Sequence, residues 1–403
     1  MSFVRPAAGL ALILSLVLMA SPATAQEPIN RHGTNSYPGL QLNPYPGSYA
    51  MGGGTVALSG RPSAMTMNPA AIGQEGVVQA GLDVGAEHLL ASEVPSVFFV
   101  DEHAATPSVT LRQGRWAAGI QYVRYAYEEF EIRDGNGNVI DRPSLFHQSL
   151  RVAGAYDVSN AWTVGLGLGY NRDEQYEGFR QGDRTEQEDA ATALTLDLGA
   201  HGAWTIDRES GARWLPSVGV SLTNVGPNSD SELLSFDIPT PTTFRVGGAV
   251  THEGASEWNG APIVQGTVHV GLSKVLAGTE EEDRETQTYG AFEALTAAWG
   301  PAETFREPDG SYETVSAWGQ INKHIGVEVT LYGIGSVRVG RRQVNSDFSG
   351  RSYTSVGAGV DLVYGTIEYA RSIAGSSLYD DQSYIRLTAT IPLDGSYDNN
   401  WWK

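Results

Sequence analysis

The sequence predicts an all-β chain: a fourteen-stranded antiparallel transmembrane barrel with an N-terminal hatch. Three observations predict it. Apolar and polar residues alternate with period two in many segments, the connections between those segments alternate long and short, and the chain opens on an export signal.

The signal comes first in the chain. Arg5 gives a positive start, residues 7–20 form a short apolar run, and Ala23-Thr24-Ala25 are the small residues that precede cleavage, which is predicted before Gln26. No later stretch has the 18 apolar residues of a membrane helix. An exported chain of this kind can still enter the outer membrane as a barrel, the expected location. The expected domains are the signal at 1–25, a hatch at 26–75, the barrel at 76–393 and a tail at 394–403.

The clearest strand is 161–171. Trp162, Val164, Leu166, Leu168 and Tyr170 share one face, and Thr163, Gly165, Gly167, Gly169 and Asn171 the other. Residues 190–206 repeat it, with Leu194, Leu196 and Leu198 opposite Thr195, Asp197, Gly199 and His201. The same reading gives strands at 76–86, 106–113, 116–127, 145–157, 161–172, 190–206, 214–224, 241–252, 262–274, 312–323, 326–339, 352–363, 365–373 and 382–392. Most have the length that crosses a bilayer at a tilt. Short turns on one side and long loops on the other are the habit of outer-membrane barrels. Trp116, Trp162, Trp204 and Trp214 abut the short gaps, as interfacial aromatics do.

Opposite the apolar face, the strands carry Arg151, Asp197, His201, Arg245, His269, Glu328, Asp361, Glu368 and Arg386. These are expected to line the lumen as a packing and polar network; a substrate path is the alternative. Residues 26–75 do not alternate and are rich in Gly, Pro, Asn and Tyr, which fits a plug whose backbone needs polar partners in the lumen. Within it Met51, Gly52, Gly53 and Gly54 permit close backbone approach, and Asn68-Pro69 forms a turn before Ala70.

The run Ala50-Met51-Gly52-Gly53-Gly54-Thr55-Val56-Ala57-Leu58, followed by Asn68-Pro69-Ala70-Ala71, resembles the opening of the PorV/PorQ family. That family belongs to the FadL-like outer-membrane barrels. Residues 134–138 resemble its loop after an early strand. Ser221-Leu222-Thr223-Asn224-Val225-Gly226-Pro227 and residues 238–247 resemble its "TNxGP … PTxLRxG" stretch, and residues 270–276 the strand after it. The resemblance spans about residues 48–392. It departs at Gly60-Arg61-Pro62-Ser63, where acidic residues are usual, and at Met67, where an aromatic is usual. The final Trp401-Trp402 lie past the last strand, so either residues 384–393 or the Trp pair ends the barrel.

The resemblance implies one of two functions. The first is an accessory of the type IX secretion system that binds the C-terminal signal domain of exported cargo and works with translocon subunits. The second is a FadL-like transporter of hydrophobic small molecules. No catalytic motif, cofactor site or metal site is legible, so no enzyme is expected. Asp134-x-Asn136-x-Asn138 starts like a calcium loop but has Leu145 where the bidentate Glu belongs. Residues 280–283 are read as a solvated acidic loop, and Gly290 to Trp299 as a short helix carrying Phe292, Leu295 and Trp299. Those three either meet a partner or fold over the barrel mouth.

The chain has 403 residues, no Cys, 26 Lys+Arg and 46 Asp+Glu, a net charge of −20. That balance excludes nucleic-acid binding, which needs clustered Lys and Arg. The seven predicted outside loops hold 31 of the acidic residues and 9 of the basic ones. Lipid and lipopolysaccharide are therefore expected to meet an acidic outer face.

Overall fold

The computed structural model describes residues 29–32, 45–61, 64–73, 76–87, 103–126, 132–133, 139–141, 146–174, 190–228, 239–282, 285–306, 312–344, 352–362, 364–374 and 382–393. The signal segment with its cleavage site before Gln26, the loop 134–138 and the tail 394–403 lie outside them.

Fourteen long strands form one sheet: β1 (Val77–Glu87), β2 (His103–Gln113), β3 (Trp116–Ala126), β4 (Phe146–Asp157), β5 (Trp162–Glu174), β6 (Ala190–Ala203), β7 (Arg213–Val225), β8 (Thr243–Glu253), β9 (Val264–Val275), β10 (Asn322–Leu331), β11 (Gly335–Gln343), β12 (Tyr353–Leu362), β13 (Gly365–Ala374) and β14 (Gln382–Pro392). Each pairs antiparallel with its neighbours in the chain. β1 also pairs with β14 along its whole length, from Val77↔Pro392 to Glu87↔Gln382, so the sheet closes on itself and has no free edge.

Alternation sets the two faces of the wall. Leu194 on β6 is 71% exposed, whereas its neighbour Thr195 is 2% exposed. Leu166 and Leu168 on β5, Val268 and Val270 on β9, and Val337 and Val339 on β11 likewise point outward. A wall that satisfies its own backbone and shows apolar side chains outside is the arrangement that crosses a bilayer with strands. Among the described residues no helix is long and apolar enough to cross one.

Connections of two to four residues, or hairpins of about ten, sit at one mouth, and the long segments at the other. Aromatic pairs gather at the short-connection mouth. Trp116 meets Tyr156 at 4.4 Å between ring centroids, Trp162 meets Trp204 edge-on at 5.6 Å, and Trp258 meets Tyr332 at 5.8 Å. Trp214 stands over His252 at 4.6 Å.

One hairpin differs from the expectation. The tenth and eleventh strands were expected at 312–323 and 326–339 with a turn at 324–325; they run 322–331 and 335–343. The turn is made by Tyr332 and Gly333, with φ of 56° and 64°, and Ile334 N–H donates to Leu331 O at 2.9 Å. Both central residues take the left-handed conformation that tight hairpins favour. The polar triplet Asn322-Lys323-His324, which looks like a turn in the sequence, is the start of β10.

A bulge marks β7. Leu222 faces Leu198, but Val225 faces Leu196, so β7 has one residue too many. Asn224 absorbs it at φ 60°. Its N–H donates to Asp197 Oδ1 at 2.6 Å and its side-chain oxygen accepts from Arg151. The Thr223-Asn224 pair of the family-like stretch is thus the place where the wall bends.

Candidate functional site: the seat of the hatch

Residues 45–61 and 64–73 lie inside the barrel. They make two single-turn helices, α1 (Pro46–Tyr49) and α2 (Ala64–Met67), and a 3-10 turn at Pro69–Ala71. Most of this backbone is irregular, so its carbonyls need donors. The wall supplies them. Ser355 Oγ donates to Tyr49 O at 2.6 Å, His269 Nε2 to Met51 O at 2.6 Å and His324 Nδ1 to Gly52 O at 2.6 Å. His201 Nε2 and Ser217 Oγ both donate to Ala57 O at 2.9 Å, and Ser221 Oγ donates to Met67 O at 2.5 Å. Each histidine must carry its proton on the nitrogen that faces the carbonyl. In His324 the other nitrogen then accepts from Ser273 Oγ at 2.9 Å.

Close approach is made possible by glycine. Eight consecutive strands, β5 to β12, each present one inward glycine to the hatch: Gly165, Gly199, Gly219, Gly247, Gly271, Gly326, Gly340 and Gly357. Atoms of the hatch occupy the space where each Cβ would stand. Ala70 meets Gly165, Asn68 meets Gly199, Val56 meets Gly219 and Gly247, Gly54 meets Gly271, Met51 meets Gly326, Gly52 meets Gly340 and Ala50 meets Gly357. The hatch therefore follows the wall around more than half of its circumference. From the hatch side the fit is equally tight: a Cβ on Gly52 (φ 79°) would stand 2.6 Å from Arg341 O.

Asn68 fixes the end of this track. Its Nδ2 donates to Val56 O at 3.1 Å and Ala200 O at 3.0 Å, and its Oδ1 accepts from Ala70 N at 3.0 Å, which caps the Pro69–Ala71 turn. Asn68→Ala is expected to cost about 1–3 kcal/mol, because these buried groups lose their partner. Limited proteolysis should then cut the hatch well before the wall; an unchanged cleavage pattern would refute this role.

The nine ionisable residues expected in the lumen all stand on the inner side of the wall, in distinct groups. Arg151 Nη1 meets Asp197 at 3.1 Å, and Arg245 Nη1 donates to Thr223 Oγ1 at 2.6 Å. Arg61 of the hatch reaches Glu328 Oε1 and Oε2 at 2.9 and 2.8 Å; Glu328 also meets Arg338, whose Nη1 lies 2.7 Å from Glu368. Two arginines and two glutamates so neutralise one another. Arg386 faces Asp83 at 3.5 Å, and Asp361 accepts from Thr366 at 2.7 Å. His201 and His269 donate to the hatch. Sequence reasoning missed His324, Arg338 and Asp83 as members of these groups; their inward parity was the available signal.

Apolar contacts complete the seat. Met65, Ala71 and Ile72 pack on Ala117 and Ala155, and Tyr49 stacks on Tyr353 at 4.7 Å. Tyr45 accepts a hydrogen bond from Gln121 Nε2. Burial, and then the nearby Asp83, hold its phenol above the usual range. Toward the short-connection mouth a cavity of about 570 Å³ is lined by Ser59, Gly60, Arg112, Arg115, Asp157 and His201.

Phe292 and Trp299 are placed differently. Phe292 is 82% exposed, before the short helix α3 (Ala294–Ala297). Trp299 is turned to the barrel end, where its ring meets Phe244 at 5.8 Å and the buried Lys274 ammonium at 5.6 Å.

No family model and no curated protein matches this sequence. Solved structures do. The Ralstonia pickettii toluene transporter TbuX is 14% identical over 86% of this chain and 96% of its own, with a TM-score of 0.44. The Pseudomonas putida toluene transporter TodX is 11% identical over 87% of this chain and 97% of its own, at 0.41. A Pseudomonas aeruginosa FadL homologue is 10% identical over 91% and 100%, also at 0.41.

Proposed function

We propose that this chain is an outer-membrane transporter that lets hydrophobic small molecules past its hatch. The observation that carries the reading is the asymmetry of the seat. The backbone of the hatch lies along β5 to β12; on the remaining arc it meets the wall through side chains, Met65 against Gly119 and Tyr45 against Gln121, and there the ladder between β2 and β3 is interrupted. There the pairing Ala105↔Arg124 resumes at Ser108↔Gln121, skipping Thr106 and Pro107. Pro107 has no N–H, and a proline inside a closed sheet leaves a gap in its ladder. A solute passing beside the hatch on this arc meets a weak seam whose far side is the apolar exterior. Only an apolar solute gains by leaving through it.

Pro107→Val restores the missing donor. A strain lacking the gene and complemented with Pro107→Val should take up labelled toluene or a long-chain fatty acid several-fold more slowly than one complemented with the native chain. Equal uptake with and without the gene would sink the reading.

A second reading is favoured by the exposed Phe292 at the long-loop mouth and by the PorV/PorQ resemblance: an accessory of type IX secretion that receives cargo at the cell surface. A tagged copy extracted in detergent should then bring translocon subunits or cargo with it. Their absence, while a control membrane complex is recovered, would count against it.

A further inference from the structure

The arc outside the glycine track is lined with polar side chains. Asp83 on β1 stands opposite Arg386 on β14 and Thr106 on β2, and Ser108 on β2 stands opposite Gln121 on β3. These five residues are on the inner face, and none is more than 3% exposed. Both carboxylate oxygens of Asp83, Thr106 Oγ1, Ser108 Oγ, Gln121 Oε1 and Arg386 Nη2 are buried without a hydrogen-bond partner. Buried polar atoms are nearly always paired, so a patch of unpaired ones on four adjoining strands calls for an account. The atoms converge: a Cβ on Gly81 would stand 2.7 Å from Arg386 Nη2 and 3.3 Å from Ser108 Oγ. The patch also adjoins the interruption of the ladder, since Thr106 is one of the two residues that the pairing of β2 with β3 skips.

A phenol of the chain itself sits against this patch. Tyr45 of the hatch is fully buried there. Its hydroxyl accepts from Gln121 Nε2 and is hydrogen-bonded to Thr66, and the Arg386 guanidinium lies 5.9 Å from the centre of its ring. A solute that passes on this arc has to turn the Tyr45 ring aside and take its place. We propose that the patch is the selectivity site of the passage, and that it favours apolar solutes whose aromatic ring carries one hydroxyl, such as alkylphenols, over hydrocarbons of the same shape. The proposal rests on the transport reading and names its substrate class. Three facts set that class. Asp83 and Arg386 cancel in charge, so neither a carboxylate nor an ammonium gains by entering. The unpaired atoms are mostly acceptors, the Asp83 oxygens and Gln121 Oε1, so a solute that brings an O–H finds a partner. The place over the guanidinium already holds one aromatic ring and suits another. A hydrocarbon in the place of Tyr45 leaves Gln121 Nε2 unpaired as well, and a site built to bond a hydroxyl discriminates strongly against an analogue that lacks it.

The pair para-octylphenol and octylbenzene, which differ by one hydroxyl, tests this. Labelled uptake is measured in a strain lacking the gene and complemented with each chain, and the uptake of the uncomplemented strain is subtracted. With the native chain, at equal low concentration, the phenol should enter about five-fold faster than the hydrocarbon. Thr106→Val removes an unpaired hydroxyl at nearly constant shape, so the wall keeps its fold. Gln121→Leu removes the group that holds a phenol oxygen. In each variant the ratio of phenol to hydrocarbon uptake should fall about three-fold. Leu111→Val, on the outer face of β2, is the control and should keep the native ratio. Heat-modifiable gel mobility reports that each wall is folded, and Thr106→Val decides alone where Gln121→Leu does not fold. Folded variants with the native ratio, or a native chain that takes up the hydrocarbon as fast as the phenol, would overturn the proposal and leave the transport reading standing. Uptake of both solutes that ignores the gene would end the transport reading and this proposal with it.

Discussion

Gly199→Val is expected to turn a closed barrel into a conducting one. Gly199 faces the lumen between Gly165 on β5 and Ser221 on β7. The space for a Cβ is taken by Asn68 Oδ1 and Pro69, with Ala70 N beyond them. Valine suits a strand, so the wall itself gains a good β residue. The hatch then meets a branched side chain where Asn68 Oδ1 and the Pro69 ring already stand. Overpacking costs about 1–3 kcal/mol. Displacing Asn68 also breaks three hydrogen bonds, each worth about 0.5–1.5 kcal/mol. The hatch should leave its track while the barrel stays closed. In planar bilayers the variant should show stepwise conductance that the native chain lacks. Leu198→Val, one residue away on the outer face, is the control and should stay silent. A folded but silent Gly199→Val would refute the seat.

Arg61→Ala should have the next largest effect. Arg61 is the hatch's charged tie to the wall, in a group where Glu328, Glu368 and Arg338 are each nearly buried. Its removal leaves two carboxylates with one guanidinium. Breaking a buried pair from one side costs about 3–5 kcal/mol, and Arg61, with its side chain 24% exposed, belongs at the low end of that range. The remedy tests the cause. Adding Glu328→Gln to Arg61→Ala leaves one Arg and one Glu, and should recover more than half of the lost thermal stability. A double variant no better than the single one would show that charge imbalance is not the reason.

The wall was legible because a strand has a fixed period and a barrel has two faces with different solvents. All but one of the thirteen connections fall near where alternation stops. The exception, at Tyr332-Gly333, fell inside what reads as unbroken alternation, while the real start of β10 looks like a turn. The inner faces of Arg151, Asp197 and Glu328 followed from parity alone. Their partners did not. Arg61 and Glu328 are 267 residues apart, and nothing local announces the pairing. Arg61 was visible only as a departure from the family-like sequence. The glycine of Gly165-Leu166-Gly167 could be read as small-residue packing, but not what it packs against. The hatch has no period, so its register on the wall is set wholly by tertiary contacts. Phe292 and Trp299 separate because the helix between them is a single turn, too short to hold a common face.

The glycine track also constrains the order in which the molecule is assembled. The hatch is made before any strand, yet it rests on β5 to β12, which are made later. The seam that closes the ring joins β1 to β14, and Gly76, just before β1, is tied to Arg112 O. A finished ring offers no easy way to lay some thirty residues along its inner wall. The track is open to one side only while the sheet is still a curved trough. Seating must therefore precede circularisation, and the zippering of β14 onto β1 becomes the irreversible step that encloses the hatch.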